Sequence, residues 1–249
     1  MPTESPLHSP DFSVRPEGAS KNARPAGARF WDFLSGNDRP HPGFAALCAF
    51  LMAPLAAAAE PLRIVALGDS LTAGLGLPEQ ATFPARLARA LKAKGVAVTV
   101  ANAGVSGDTA SGGLDRLDWS VPRGTDAVIL ELGANDMLRG IDPNVTKAAL
   151  AAILRKLQAR HIPVLLAGMK ALPNMGEKYA RTFDAIYPAL ASTHRVVFYP
   201  FFLAGVATDP RFNQIDGMHP NSAGVDVIVK RILPRVEELI ARVHHADRS

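Results

Sequence analysis

The sequence has one cysteine, Cys48, so no intrachain disulfide can form. That single thiol suits an oxidising compartment as well as a reducing one. The chain also lacks a basic block or a basic stripe spaced by aromatics, which argues against nucleic acid as a partner. Its net charge is only +4, and residues 1–59 hold five basic and five acidic side chains, so all of it lies in residues 60–249. There are two tryptophans, Trp31 and Trp119, too few for the aromatic platforms that sugar sites usually carry. No glycine-lysine phosphate loop is present. Of the seven histidines, His8, His41, His161, His194, His244 and His245 sit in no ligand-like setting, so neither a metal nor a cofactor is expected. Glycine and proline are scattered, which excludes a low-complexity domain or a repeat array.

What is present is a globular composition, with 48% hydrophobic and 20% charged residues. Residues 1–42 are polar, proline-rich and without periodicity, and are expected to be a disordered extension. Residues 43–59 are apolar throughout but too short for a confident membrane span. Arg39 in front and Ala57-Ala58-Ala59 behind give this run the look of a secretory signal cleaved before Glu60. One explanation for a signal this deep in the chain is a translation start downstream of Met1, which would need a codon other than ATG. A buried or membrane-anchoring helix is the competing reading. Residues 60–249 form the expected folded domain.

Within that domain, short aliphatic runs alternate with amphipathic stretches. Strands are expected near Arg63–Leu67, Val96–Ala101, Ala127–Leu132, Ile162–Gly168 and Val196–Tyr199. Phe83, Leu87 and Leu91 mark one helix face; Leu150, Ile153, Leu154 and Leu157 mark another. Further helices are expected over 110–117 and 176–191, and over 221–243 with a kink at Pro234. Such alternation predicts an α/β fold: a three-layer α/β/α sandwich around a five-stranded parallel sheet, flavodoxin-like.

Four short motifs follow these strands. Gly68-Asp69-Ser70-Leu71 ends the first, and Asn102-Ala103-Gly104-Val105-Ser106-Gly107-Asp108-Thr109 follows the second. Leu132-Gly133-Ala134-Asn135-Asp136 ends the third, and Asp216-Gly217-Met218-His219-Pro220 precedes the last helix. All lie on the carboxyl rim, where open α/β sheets bind ligands. In this order the motifs resemble those of the SGNH (GDSL) hydrolase family, most like its bacterial periplasmic branch of multifunctional thioesterases, lysophospholipases and arylesterases. The resemblance spans about residues 62–243 and implies the SGNH hydrolase fold for residues 60–249. It places the nucleophile on Ser70, oxyanion donors on Ser70, Gly107 and Asn135, and a His-Asp pair on His219 and Asp216. It also implies export to the periplasm or outside the cell.

The residue chemistry agrees. Ester cleavage needs a nucleophile, a base, a group that orients the base, and donors for the oxyanion. Blander roles remain for each residue. Ser70 or Asp69 could simply cap a helix; Asn135 could be a turn residue; His219 could be a surface loop histidine. Asp69, Asp108 and Asp136 are expected to be structural acceptors for loop backbone N–H groups. Met137 and Leu138, with Leu172 and Pro173, offer apolar surface beside the site for an acyl chain or aromatic ring. The expected partner is a small ester or thioester, lipid-like in some cases, acted on by a monomer. Two alternatives are a carbohydrate acetylesterase on the same fold and a flavodoxin-like phosphate-binding module.

Overall fold

The structure is a computed structural model and describes residues 60–246. The expected extension 1–42 and apolar run 43–59 lie outside the described residues. Five strands form one parallel sheet: β1 (Leu62–Gly68), β2 (Val98–Gly104), β3 (Ala127–Glu131), β4 (Val164–Ala167) and β5 (Val197–Tyr199), in the order β2-β1-β3-β4-β5. Strands β1, β3 and β4 are almost wholly buried, as a sheet covered on both faces requires. Between the strands run α1 (Ser70–Ala73), α2 (Phe83–Ala93), α3 (Ala110–Asp115), α4 (Leu117–Ser120), α5 (Ala134–Leu138), α6 (Pro143–Ala159), α7 (Glu177–Asp184) and α8 (Ile186–His194). The last helix is α9 (Ser222–Ala246). Helices α2 and α9 associate on one face of the sheet, and α3, α6 and α8 group on the other. The α/β/α sandwich and the five-stranded parallel sheet are therefore as expected.

Two elements differ from their expected bounds. β2 starts and ends later than Val96–Ala101 because Val96 is still tied to the end of α2, its N–H donating to Leu91 O at 3.1 Å. The strand then runs on to Gly104 because β1 pairs with it as far as Gly68↔Gly104, although Asn102 and Gly104 are poor strand formers. The helix expected over 176–191 breaks at Ala185 into α7 and α8. Pro188 has no N–H for the carbonyl four residues back, so it sits in the first turn of a new helix.

The order of the strands fixes the site. β1 lies between β2 and β3, where the connections leave for opposite faces, and its end opens into the crevice of such sheets.

Candidate active site

β1 ends against its neighbour. A Cβ on Gly68 would lie 2.1 Å from Thr72 Oγ1 and 2.7 Å from Glu131 O, so only glycine allows the chain to turn this close to β3. Asp69 caps the short α1, its Oδ1 accepting the N–H of Leu71 at 3.0 Å. Ser70 is the first residue of α1 and is 9% exposed, at the floor of a cavity of about 380 Å³. Its own N–H stands at the helix N-terminus, where backbone donors have no acceptor within the helix.

The base comes from the other end of the chain. His219 Nε2 lies 2.9 Å from Ser70 Oγ, and His219 Nδ1 lies 2.7 Å from Asp216 Oδ2. A carboxylate only accepts, so Nδ1 carries the proton and Nε2 is left to accept from the serine hydroxyl. Asp216 Oδ1 accepts the N–H groups of Met218 at 2.9 Å and His219 at 3.0 Å. These backbone donors, and then His219 itself, lower the Asp216 carboxyl to about 2. The loop is closed by a bridge between Asn213 and Pro220 and by Gln214 N–H on His219 O. Gln214 Nε2 also donates to Leu75 O at 2.7 Å, tying the base loop to the turn after the nucleophile.

Gly107 and Asn135 line the same cavity as Ser70 and His219. Gly107 has φ +83, a left-handed angle that glycine adopts freely, and Arg139 holds its carbonyl at 2.7 Å. Asn135 stands on α5, which follows β3 after Leu132 and its N-cap Gly133. One N–H of its amide donates to Asp69 Oδ2 at 3.1 Å. The second N–H leaves the residue a donor for the cavity.

Met137, Leu138 and Leu172 also line the cavity. Pro173 does not; it opens a 3-10 turn, Pro173–Met175, that carries it away from the wall. Sequence reasoning missed Met169, Phe201 and Leu203, which complete the apolar wall from the ends of β4 and β5. The apolar Phe201–Val206 stretch after the last strand was the available signal.

The three aspartates beside the motifs accept bonds, but not all from backbone. Asp69 takes Leu71 N–H and the Asn135 amide. Asp136 takes Ala110 N–H and Thr146 Oγ1, each at 2.9 Å. Asp108 instead accepts from the Arg116 guanidinium at 2.6 Å. Arg116 was not foreseen. It is buried, and it also donates to Gly68 O and Ala103 O, so it clamps the ends of β1 and β2.

A serine, an imidazole and a carboxylate in relay on the carboxyl rim of a parallel sheet define a serine hydrolase of the α/β class. The GDSL-like Lipase/Acylhydrolase family model matches residues 66–227, and the chain belongs to that family. Esterase TesA of Pseudomonas aeruginosa is 37% identical over 185 residues, covering 74% of this chain and 91% of that protein. The Arylesterase of Vibrio mimicus is 40% identical over 159 residues, covering 64% and 80%. Among solved structures, AlinE4, a SGNH-hydrolase family esterase, is 43% identical with a TM-score of 0.62, covering 73% of this chain and 97% of AlinE4. Among the described residues no cluster of three metal-ligating side chains occurs.

Proposed function

We propose that the protein hydrolyses carboxylic esters and thioesters by acyl transfer through Ser70. The observation that carries this is the continuous relay from Asp216 through His219 to Ser70, at 2.7 Å and 2.9 Å. Ser70 Oγ attacks the carbonyl carbon as His219 Nε2 takes its proton. The charge that develops on the carbonyl oxygen meets the N–H groups of Ser70 and Gly107 and the amide of Asn135. Collapse breaks the bond to the leaving oxygen or sulfur, which receives the proton from His219. Water, deprotonated by the same imidazole, then attacks the acyl-enzyme and frees Ser70. Apart from Lys170, the wall beyond the site is largely apolar, from Met137, Leu138, Met169, Leu172 and Leu203, which favours an acyl chain. Phe201 is the one phenylalanine, tyrosine or tryptophan among the lining residues, which disfavours an acetylated sugar. A fluorophosphonate probe should label Ser70 in the wild type and nothing in Ser70→Ala. A chain-length series of p-nitrophenyl esters and acyl-thioesters should show turnover that rises beyond acetyl. Absence of labelling would reject the reading.

We further propose that the enzyme is exported, on the strength of the apolar run 43–59 and its Ala57-Ala58-Ala59 end. N-terminal sequencing of the secreted protein should begin at or near Glu60; a mature protein that retains the run rejects export by cleavage.

A further inference from the structure

We propose that Asp69 is a positioning residue for the oxyanion hole: its carboxylate takes one N–H of the Asn135 amide and so aims the other at the developing charge. This rests on the acyl-transfer reading above. An asparagine amide has a broad, two-fold torsion, so by itself it can present either oxygen or nitrogen to the cavity. A carboxylate can only accept. With Asp69 Oδ2 at 3.1 Å from Asn135 Nδ2, the flip that would turn the amide oxygen toward the oxyanion faces oxygen to oxygen and is excluded. The other oxygen of Asp69 holds Leu71 N–H, so one side chain joins the nucleophile's helix to the oxyanion helix.

Capping alone does not account for a carboxylate here. Serine or asparagine caps a helix as well as aspartate. Asp69 is fully buried, and its surroundings oppose its charge. Glu131 on β3 lies beneath it, itself fully buried, with Thr72 Oγ1 donating to Oε2 and with no partner for Oε1 among the described residues. Tyr187 on α8 is buried beside them, its hydroxyl committed to Leu132 O. Asp108, after β2, adds a second negative charge, and the nearby cation Arg116 is already spent on Asp108, Gly68 O and Ala103 O. His219, from the loop before α9, lies close enough to Asp69 to favour its charge. Burial, and then the charge of the neighbouring Asp69, push the Glu131 carboxyl well above the usual carboxylate range. Burial likewise pushes Asp69 up to about 6, opposed by the bonds from Leu71 and Asn135 and by His219. Two N–H donors meet the Asp69 carboxyl, whereas one oxygen of Glu131 meets none among the described residues, so the pair holds negative charge better on Asp69, against the amide.

The test is a mutant cycle on the full chain. Asp69→Asn keeps the shape but can serve only one of Leu71 N–H and the Asn135 amide as acceptor, and turns a donor toward the other. Asp69→Ser keeps an acceptor for Leu71 N–H but does not reach Asn135, so it separates capping from aiming and serves if the first variant folds poorly. Each should lower kcat about 10- to 100-fold with KM changed less than about threefold. Added to Asn135→Ala, either should cost less than about twofold more, because the donor it aims is already gone. The ratio of wild-type to Asp69→Asn kcat should shrink as pH falls from 8 to 5, as the wild type loses its carboxylate. Fully multiplicative losses in the double variants, or wild-type kcat in both single variants, would overturn the proposal. Wild-type kcat in Asn135→Ala alone would overturn the oxyanion assignment itself, and with it this inference.

Discussion

Two aspartates serve the reacting groups, and their surroundings treat them in opposite ways. Asp69 lies under the nucleophile, inside the sheet and helix layer, where burial raises it to about 6. Asp216 stands on the loop before α9 with 40% of its side chain exposed, where backbone N–H groups lower it to about 2. The nucleophile side of the site is built from strand ends, a buried acid pair and the Arg116 clamp. The base side is built from a turn that wraps its own carboxylate. The difference shows two routes to a fixed charge: enclosure that resists ionisation, or local donors that favour it in the open. The enclosed charge costs stability and is rigid; the open one costs little and depends on its turn.

The largest blow to this contrast should come from Asp216→Asn. The amide cannot hold His219 in the Nδ1–H tautomer as a carboxylate does, so kcat should fall roughly 10³- to 10⁴-fold. The melting point should move little, since the residue is exposed and its loop keeps the Gln214 and Asn213 bonds. Steady-state kinetics with a thermal melt checks both; a large melting loss with kcat preserved would mean the loop is structural only. A smaller effect should separate the two carboxylates by pH. Because the folded chain raises Asp69 from 3.8 to about 6, its protonated form is the one the fold favours. Its stabilising contribution is full below about pH 4 and lost as pH rises through about 6. A shift of about two units corresponds to at most ~3 kcal/mol, or several degrees of melting point. Wild type should therefore lose melting temperature relative to Asp69→Asn between pH 4 and pH 7. Asp216 has the opposite sign, with stability lost only as pH falls from about 4 through about 2. A constant difference between wild type and Asp69→Asn across pH 4–7 would mean that Asp69 titrates normally.

The sheet was legible because its inner strands are aliphatic runs bounded by glycine and polar residues, and the rim because its motifs follow those runs. The end of β2 was not, since Asn102 and Gly104 owe their strand geometry to pairing with β1 rather than to propensity. The break at Ala185 could have been read from Pro188, whose place in a first turn was the deciding physics. Ser70, Gly107, Asn135, Asp216 and His219 were read from the motifs, and the structure brings four of them to one cavity, with Asp216 bonded to His219 outside its lining. The Asp69–Asn135 bond joins positions 66 apart, and Glu131 reaches the nucleophile's helix across 59. No local pattern encodes which buried acids will meet, so these partners appear only once the strands are side by side.

The bond between Ser70 and His219 joins positions 149 apart in the chain. During synthesis the nucleophile is therefore made 149 residues before its base. A nascent chain that has laid down β1 to β4 already carries Ser70, but nothing to deprotonate it. Only when α9 settles against α2 and the strand edge does the imidazole arrive over the serine. The reactive serine is thus armed by topology: the segment that carries its base reaches it only through long-range packing, of α9 on α2 and on the sheet.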